Sequence, residues 1–553
     1  MPDTGTERRK NLRIPFQIDV STNKSRSGFL QTYDISSYGM FVKTDAPLPI
    51  DSKVFVSFNI PGNPIPIKSY ARVAWVNSIS EDKTKPEGMG IQFLSLSEFD
   101  IKRLDKFLDT LYEESDRQGS DETIQIESEN FTLFDFSPTI KESLDERSKK
   151  LLGYINDMKS KGSHTYRRQL ISSSGNRVTI FDETIGKERE MIMMGSNNYL
   201  GLSAHPRVVK AAEDAIAQYG VGAGSVSLLA GTFDLHKKLE KKLAELKGTE
   251  DAIIFPSGYS TNVGCLSAIL RDRDLVALDR LAHASIIDGS MLSNSKLRTF
   301  KHSDMKSLND VMERNRDIEG TKLIAVDGVY SMDGDIAPLP EIVKIAKEHS
   351  AMVMVDDAHA TGVIGKMGKG TTSHYDLEGE VDIIVGTLSK AIGQLGGFVA
   401  SSREIVNYMR YFARSYFFST SLPPVVVASV LASIEVMETE PHLHKQLWDN
   451  IEYFKGILVS LGFEIVENTE SAIIPVIVGE EALLKKMSAR LHEEGIYVNP
   501  VPYPAVPRDK TRFRISVMAT HTREDLDTTL EVFEKVGREF GIIGQKKSII
   551  NQQ

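Results

Sequence analysis

The segment Val381–Lys390 constrains the fold of this chain more than any other. It reads Val-Asp-Ile-Ile-Val-Gly-Thr-Leu-Ser-Lys, and its apolar, β-branched run is typical of a strand buried on both faces of a sheet. The turn that follows places Lys390 at the carboxyl end of this strand, the edge where open α/β sheets bind ligands. A lysine held there among apolar walls can lose its proton and form a Schiff base. A surface lysine that opens the next helix is the alternative for this segment taken alone.

Two further predicted strands end in carboxylates. One is Lys322–Asp327, and the other is Met352–Asp356, which continues to His359. Ligands of such a sheet gather at the carboxyl ends of its strands. An aspartate for a pyridinium nitrogen, a nearby histidine and a lysine form the constellation that binds pyridoxal 5′-phosphate (PLP). The sequence therefore predicts a PLP site at this edge.

Eight short motifs follow one another along the second part of the chain. They are Ser196-Asn-Asn-Tyr-Leu-Gly201, Phe255-Pro-Ser-Gly-Tyr259, Asp327-Gly-Val-Tyr-Ser-Met-Asp-Gly334, Asp356-Asp-Ala-His359, Gly386-Thr-Leu-Ser-Lys390, Phe418-Ser-Thr-Ser-Leu-Pro-Pro424, Arg512-Phe-Arg514 and Ala519-Thr-His-Thr522. Over residues 151–543 the chain resembles the α-oxoamine synthase family of fold-type I PLP enzymes. The resemblance implies an α/β transferase fold with a mostly parallel central sheet, followed by a smaller C-terminal α+β domain. It also implies a Claisen-type condensation of an amino acid with an acyl thioester, with loss of carbon dioxide in most members.

The resemblance assigns roles to matching residues. Lys390 would hold PLP and then move the α-proton, Asp356 would keep the ring nitrogen protonated, and His359 would hydrogen-bond the 3′-oxygen. His283 would stack on the ring, although a lone histidine is more often structural. The other implied cofactor residues are Ser257, Gly258 and Tyr259 at a helix N-terminus, Ser331, Thr387, and Ser419 and Thr420 from the second subunit of a homodimer.

The implied substrate residues are Asn197 and Arg514, which would bind the amino acid carboxylate. Arg512 and Arg514 are two residues apart, so both would point to one face of a strand and spacing does not choose between them. The motif alignment selects Arg514. Ser227 stands where family members usually carry an arginine, which leaves the substrate contacts of its loop open.

The substrates are less constrained than the reaction class. Segments 497–507 and 530–537 look most like bacterial serine palmitoyltransferases, which favours serine with a long acyl chain on CoA or acyl carrier protein, as in sphingoid base synthesis. The alternatives are alanine with a pimeloyl thioester, which gives 8-amino-7-oxononanoate for biotin synthesis, and glycine with an acetyl thioester. An aminotransferase of the same fold, and a silent synthase scaffold that serves a nucleotide-binding domain, are rival hypotheses from other classes.

Residues 1–112 show a different pattern. Short alternating apolar runs separated by Gly, Pro, Asn and Ser predict a small antiparallel β-barrel closed by a helix over 98–112. Guanidinium forks suit phosphate and guanine recognition. One motif contains Arg9 and Arg13, and a second contains Asp34, Ser36 and Gly39. Together they resemble the signature of the PilZ domain, and this resemblance implies cyclic di-GMP binding. A solvated basic terminus and a plain turn are the alternative interpretation.

Length and composition agree with a globular protein of more than one domain. The chain has 553 residues, too many for one core, and its formal net charge of −10 gives no support for nucleic-acid binding. The single cysteine, Cys265, excludes an internal disulfide framework and fits a reducing compartment. We find no signal peptide, no apolar stretch of about 20 residues and no metal-ligand set, so we expect a cytoplasmic protein without a bound metal. The homodimer is implied by the family resemblance alone.

The composition changes predict the domain boundaries. We expect a PilZ-like domain over 1–112, an acidic flexible linker over 113–130, an N-terminal synthase segment over 131–190, a PLP-binding large domain over 191–430, a small domain over 431–545 and a tail over 546–553. The linker prediction rests on its polar, acidic composition. Control of the synthase by cyclic di-GMP is the functional expectation that follows from two motif sets on one chain.

Overall fold

The computed structural model describes residues 14–15, 19–22, 29–60, 65–77, 87–97, 99–108, 124, 126–183 and 185–544. The chain divides into two compact units, Met1–Gln125 and Ile126–Gln553, and each is described by itself. Within these described residues, none of the helices has the length and apolar character needed to span a bilayer.

The first unit contains a closed antiparallel barrel. Its strands are β1 (Ile14–Pro15), β2 (Asp19–Thr22), β3 (Phe29–Ser36), β4 (Gly39–Lys43), β5 (Lys53–Phe58), β6 (Ile67–Asn77) and β7 (Gly88–Ser95). Six of them follow the order β3-β2-β5-β6-β7-β4, and β4 pairs again with β3 to close the barrel, while β1 adds to the outside of β3. A helix, α1, covers residues 99–108. The predicted barrel fold is therefore confirmed.

Alternation of side chains builds the barrel core. Along the first half of β6, buried and exposed residues alternate strictly, and Ile67, Ala71 and Val73 are fully buried. This period of two is the signature of a strand with one face on a core. Trp75 stacks on Phe41 with ring centroids 4.8 Å apart. Gly90 lies beneath it, because a Cβ there would come within 2.1 Å of the Trp75 Nε1 atom.

The second unit is built on a seven-stranded sheet with the order β11-β17-β16-β15-β14-β12-β13. These strands are β11 (Asp251–Phe255), β12 (Leu275–Asp279), β13 (Lys296–Phe300), β14 (Lys322–Asp327), β15 (Met352–Asp356), β16 (Ile383–Thr387) and β17 (Gly397–Ser401). All neighbours from β16 to β13 pair in parallel, and only β17 pairs antiparallel on both sides. The mostly parallel central sheet predicted from the sequence is confirmed.

Two smaller sheets flank the central one. The first has the order β19-β10-β9-β8, and the second has the order β18-β21-β20. Their strands are β8 (Gln169–Leu170), β9 (Arg177–Asp182), β10 (Lys187–Met193), β18 (Ile473–Ile477), β19 (Ile496–Tyr497), β20 (Asn499–Val501) and β21 (Arg512–Ser516). The parallel pairing of β10 with β19 joins the N-terminal hairpin to the C-terminal part of the chain.

Helices cover the sheets and carry the connections. In chain order they are α2 (Leu144–Ser160), α3 (Pro206–Tyr219), α4 (Asp234–Lys247), α5 (Gly258–Ile269), α6 (Ala284–Leu292), α7 (Met305–Glu313), α8 (Leu339–Glu348), α9 (Thr371–His374), α10 (Arg403–Phe412), α11 (Arg414–Phe417), α12 (Pro424–Thr439), α13 (His442–Leu461), α14 (Glu481–Glu493) and α15 (Arg523–Glu539). Because β14, β15 and β16 are buried along almost their whole length, they read as continuous apolar runs.

A buried ion pair holds the loop after β15. The side chains of Lys247 and Asp357 are both fully buried and lie 2.8 Å apart. The Lys247 ammonium also donates to the Thr361 hydroxyl at 2.8 Å and to the Lys369 carbonyl at 2.7 Å. Asp357 accepts from the Thr371 hydroxyl at 2.6 Å. Every polar atom of the pair is therefore matched, which is the condition under which a buried charge is tolerated.

Removal of the lysine charge should be strongly destabilising. In a Lys247→Met variant, Asp357 would stay buried without its cation, and we expect the free energy of unfolding to fall by about 3–5 kcal/mol. The measurement is the shift of the urea midpoint at one protein concentration. Lys241→Met on the same helix is the matched control, because Lys241 is 80 % exposed and 3.8 Å from Glu245, so its loss should change little. Equal shifts for both variants would contradict this account.

Candidate active site

The carboxyl ends of β14, β15 and β16 meet at one edge of the central sheet. Asp327 and Asp356 are direct neighbours in the parallel register, and β16 leads through Thr387 to Lys390. Both aspartates are buried. Burial, and after it the nearby Asp356, raises the pKa of Asp327 well above its ordinary value, which favours a proton on Asp327.

Lys390 lies in the same buried environment. Burial lowers the pKa of Lys390 to about 8, against the opposing effect of Asp356, while the Arg514 charge lowers it further. A lysine amine is a nucleophile and a base only in its neutral form. This site therefore makes a neutral amine available at a far lower pH than an exposed lysine would.

A hydrogen-bonded chain fixes the orientation of Asp356. Its Oδ1 accepts from the Ala358 amide at 3.0 Å, and its Oδ2 accepts from the Asn262 Nδ2 at 2.7 Å. Asn262 donates its other Nδ2 hydrogen to the Ser285 hydroxyl at 2.9 Å. Ser285 is 2.7 Å from the Nδ1 of His283, which caps α6. Two of the predicted residues, Asp356 and His283, are thus linked through Asn262 and Ser285.

A second chain runs from His359 to the C-terminal part of the protein. The His359 Nδ1 lies 2.8 Å from the Tyr199 hydroxyl, which also contacts the Asn197 Oδ1 at 3.3 Å. The same Asn197 oxygen accepts from the Arg514 Nη2 at 3.0 Å. Burial lowers the pKa of His359 well below its usual value, so its ring is neutral at neutral pH. The structure therefore brings Asn197, His359 and Arg514 together.

The two arginines of β21 have different surroundings. Arg512 is buried, forms an ion pair with Asp333 and donates to the Met332 carbonyl at 3.0 Å. Arg514 contacts Asn197, and its buried Nε has no hydrogen-bond partner among the residues that the structure describes. Arg514 therefore has a free donor, whereas the guanidinium of Arg512 is engaged.

The start of α5 forms a narrow cradle against the end of β16. Ser257 is the N-cap residue, and its side chain accepts from the Ser260 amide at 3.1 Å. A Cβ on Gly258 would lie 2.8 Å from the Thr387 Oγ1, so only glycine fits without a shift. The Tyr259 hydroxyl donates to Asp288, and its ring meets the His283 ring edge-on at 6.4 Å. A helix N-terminus with free amides suits a phosphate group.

These residues match the requirements of PLP. The cradle offers amides for a phosphate, Asp356 offers a carboxylate for the ring nitrogen, and Lys390 offers a buried amine. The Nε of Arg514 has no hydrogen-bond partner among the described residues and can donate to a bound group. On this donor set the site fits the cofactor that the sequence predicts.

The remaining predicted residues line two other pockets. Ser331 lines a cleft of about 1190 Å³ that also reaches residues 464–468 and 504–507. Ser419 and Thr420 lie with Ser227 around a smaller pocket next to Pro256.

In the barrel, Asp34 is buried on β3, and the Ser36 hydroxyl donates to the Gly39 carbonyl at 3.2 Å in the β3–β4 turn. A Cβ on Gly39 would come within 2.2 Å of the Ile91 carbonyl oxygen, so this turn needs glycine. Arg9 and Arg13 lie outside the described residues.

Sequence reasoning assigned no role to Asn262, Ser285 or Tyr199. Tyr199 lies in a motif that was used for the family resemblance, and Asn262 follows the cradle by one helical turn. That spacing places Asn262 on the same face of α5 as Gly258. This spacing could have identified Asn262 from the sequence, whereas its contact with Ser285 depends on how α5 and α6 pack.

Comparisons with known proteins agree with this geometry. The family described as aminotransferase class I and II matches residues 189–533, and the PilZ domain family matches residues 7–110. The 8-amino-7-oxononanoate synthase of Exiguobacterium sibiricum is 47% identical over 389 residues, which cover 70% of this chain and 98% of that protein. The corresponding Bacillus subtilis enzyme is 44% identical over 391 residues, covering 70% and 97%.

Solved structures give the same assignment. The serine palmitoyltransferase of Sphingomonas wittichii superposes with a TM-score of 0.69 at 34% identity, and the match covers 73% of this chain and all of that one. The match in sequence and structure includes the whole length of these synthases. The chain therefore belongs to the α-oxoamine synthase family of PLP-dependent acyl-condensing enzymes and carries a PilZ domain.

Proposed function

We propose that Lys390, Asp356, His359 and His283 form the catalytic centre of a synthase that joins a small amino acid to an acyl thioester. The observation that carries this proposal is the buried group at the sheet edge, where Lys390 has a pKa of about 8 and Asp356 is held by two donors. PLP, when bound, supplies an electron sink for a carbanion at the α-carbon of the amino acid.

Side chains of the site would hold the cofactor, transfer the proton and bind the substrate carboxylate. Lys390 would hold the cofactor, and its Nζ would accept the α-proton, for which a pKa near neutrality is well suited. Asp356 would be the acceptor for the ring nitrogen, and His359 and His283 would orient the ring. Arg514 and Asn197 bind the substrate carboxylate, since a guanidinium with a free Nε can form a two-point contact.

The phosphate of the cofactor would lie on the amides of Gly258 and Tyr259 and on the hydroxyls of Ser257 and Thr387. The close approach of Gly258 to Thr387 supports this placement, because it leaves the backbone accessible where a side chain would cover it. Ser331 would contact the cofactor from the large cleft that it lines.

Two amino acids are candidates for the amine substrate. Relatives at 44–47% identity are 8-amino-7-oxononanoate synthases, which supports L-alanine with a pimeloyl thioester. Similarity to serine palmitoyltransferase structures at 34% identity, and the sequence of the 497–507 segment, support L-serine with a long acyl chain. We place alanine first because its relatives share more residues with this chain.

The first test measures release of free CoA by the holoenzyme. L-Alanine, L-serine and glycine are each combined with pimeloyl-, palmitoyl- and acetyl-CoA, and one pair is expected to react far faster than the others. Lys390→Ala should lower that rate by about 10²–10⁴-fold, the usual contribution of a general acid–base group. Lys344→Ala, on the exposed face of α8, is the control. Keto acid release without any thioester would identify an aminotransferase instead.

We also propose that the enzyme is a homodimer whose partner supplies Ser419 and Thr420. The bridge between Val226 and Thr420 joins two segments into one surface. Large apolar side chains more than half exposed occur in or next to the same two segments, namely Val221, Leu229, Tyr411, Phe412 and Phe418, and we infer that they form one patch. A soluble protein seldom exposes a large apolar patch unless a partner covers it.

Charge placed in this patch should separate the subunits. A Leu229→Lys, Phe418→Lys double variant is expected to sediment as a monomer and to retain less PLP after gel filtration, because both subunits contribute to each site. Leu152→Lys, on an exposed position of α2, should sediment like the unchanged protein. A monomeric unchanged protein with full PLP content would refute the shared site.

We propose that the PilZ domain binds cyclic di-GMP and controls the synthase through segment 126–136, here called the strap. The strap begins where the first unit ends. Lys485 donates to the carbonyls of Ser128 and Phe131 at 3.2 and 3.0 Å. Phe134 meets the Tyr503 ring edge-on at 5.4 Å. Tyr503 precedes residues 504–507, which line the large cleft, so the strap contacts the residue next to the cleft wall.

Loss of the two terminal arginines should weaken nucleotide binding. An Arg9→Ala, Arg13→Ala variant is expected to bind cyclic di-GMP at least about tenfold more weakly in calorimetry, since hydrogen bonds to charged groups are lost. Arg72→Ala, on the barrel surface near Asp51, is the control. If the strap transmits the signal, Phe134→Ala should keep the affinity and lose the effect of the nucleotide on CoA release. Unchanged affinity without Arg9 and Arg13 would refute the binding site.

A further inference from the structure

An arginine of the second unit is buried without an acceptor. Arg168 precedes β8, and none of its three guanidinium nitrogens has a hydrogen-bond partner among the described residues, although all three are shielded from solvent. The guanidinium instead stacks on the Tyr497 ring, 4.5 Å from its centre. Burial lowers the pKa of Arg168 to about 10. Buried donors of a native protein are almost always paired, so this one requires an explanation.

The nearest carboxylate does not supply the missing acceptor. Asp182 accepts a hydrogen bond from the His492 Nε2 at 3.1 Å and lies 3.4 Å from the Arg189 Nη2. Burial lowers the pKa of His492 to about 4, so His492 is neutral at neutral pH. Asp182 is therefore engaged by His492 and Arg189, and it acts on the charge of Arg168 through space without accepting a hydrogen bond from it.

A cavity of about 590 Å³ adjoins this arginine. Its polar and aromatic lining includes Lys159, His164, Tyr166, Arg167, Arg168 and Phe181. Lys159 is 3.4 Å from Glu183, so these two charges offset each other. Arg167 has neither an ion pair nor a hydrogen bond of its side chain within the described part of the chain. The cavity is therefore bordered by the exposed Arg167 and by the covered guanidinium of Arg168, neither of which has a hydrogen-bonded acceptor among the described residues, and Asp182 and Glu183 also belong to its lining.

We propose that this cavity binds a phosphate-bearing small molecule, with Arg167 and Arg168 as the ligands of its phosphate group. A phosphate monoester carries a charge of about −1.5 to −2 at neutral pH, which matches two unpaired arginines. The planar guanidinium fork suits phosphate oxygens. The volume is that of a metabolite site rather than an ion site, and Tyr166 and Phe181 offer aromatic faces for the body of the ligand.

Binding requires one side-chain movement. The nitrogens of Arg168 are covered while the guanidinium lies on the Tyr497 ring. The side chain therefore turns from this ring towards the cavity when the phosphate enters. The site is built by α2, β8, β9 and the end of α14, none of which carries a residue of the proposed catalytic centre.

The test uses the holoenzyme, so that the cofactor already fills its own phosphate cradle. Inorganic phosphate and adenosine 5′-monophosphate are titrated by calorimetry and by thermal unfolding. We expect both signals to saturate in the unchanged protein, and affinity to fall about tenfold or more in Arg168→Met. Arg298→Met, an exposed arginine of β13, is the matched control and should bind like the unchanged protein. If adenosine 5′-monophosphate binds more tightly than inorganic phosphate, the ligand of the cavity is a phosphate ester. If inorganic phosphate binds more tightly, the ligand is the free ion.

A measurement without any phosphate separates this role from a structural one. Replacement of an unpaired buried cation by an apolar side chain of similar length should leave Tm unchanged or raise it. A lower Tm of Arg168→Met in phosphate-free buffer would show that the arginine stabilises the fold, and would overturn the proposal. So would an equal rise of Tm with phosphate in the unchanged protein and in Arg168→Met.

Discussion

The active site depends on how charged side chains are accommodated at the buried edge of the parallel sheet. Parallel pairing of β14, β15 and β16 fixes the ends of three buried strands side by side, so that Asp327 and Asp356 become neighbours. Carboxylates in such a place are costly unless each oxygen has a donor. Asn262 and the Ala358 amide supply the donors for Asp356, and Lys247 supplies the cation for the adjacent Asp357. The same lack of solvent that makes these contacts necessary also lowers the pKa of Lys390.

Much of this arrangement could be predicted from the sequence, because it follows from local patterns. Apolar runs located the buried strands, and each run ended at the residue that now lies at the sheet edge. The barrel followed in the same way from alternation. What the sequence could not supply was the packing between elements. The link from Asp356 through Asn262 to Ser285 joins three separate elements, and no spacing along the chain encodes it.

The difference between Arg512 and Arg514 illustrates the same limit. The two residues lie on one strand face, and their spacing treats them as equivalent. In the fold, Asp333 lies beside Arg512, whereas Asn197 lies beside Arg514. Arg168 was not considered from sequence at all, since arginine side chains are normally solvated. Its significance arises only when burial and the engagement of Asp182 are both known.

Ser227 occupies the position where the family resemblance leads us to expect an arginine, and its surroundings show how the fold is satisfied without that charge. Its hydroxyl lies 2.9 Å from the Ser421 hydroxyl, and its carbonyl accepts from Thr232 at 2.7 Å. The buried Glu240 that lines the same pocket has a cation from elsewhere, because Arg410 of α10 lies 3.3 Å from it and also pairs with Asp251. Among the described residues that line this pocket, no carboxylate is left unpaired by the presence of a serine at position 227. A group that approaches the loop therefore meets hydroxyls, so selection there depends on size and hydrogen bonding rather than on charge.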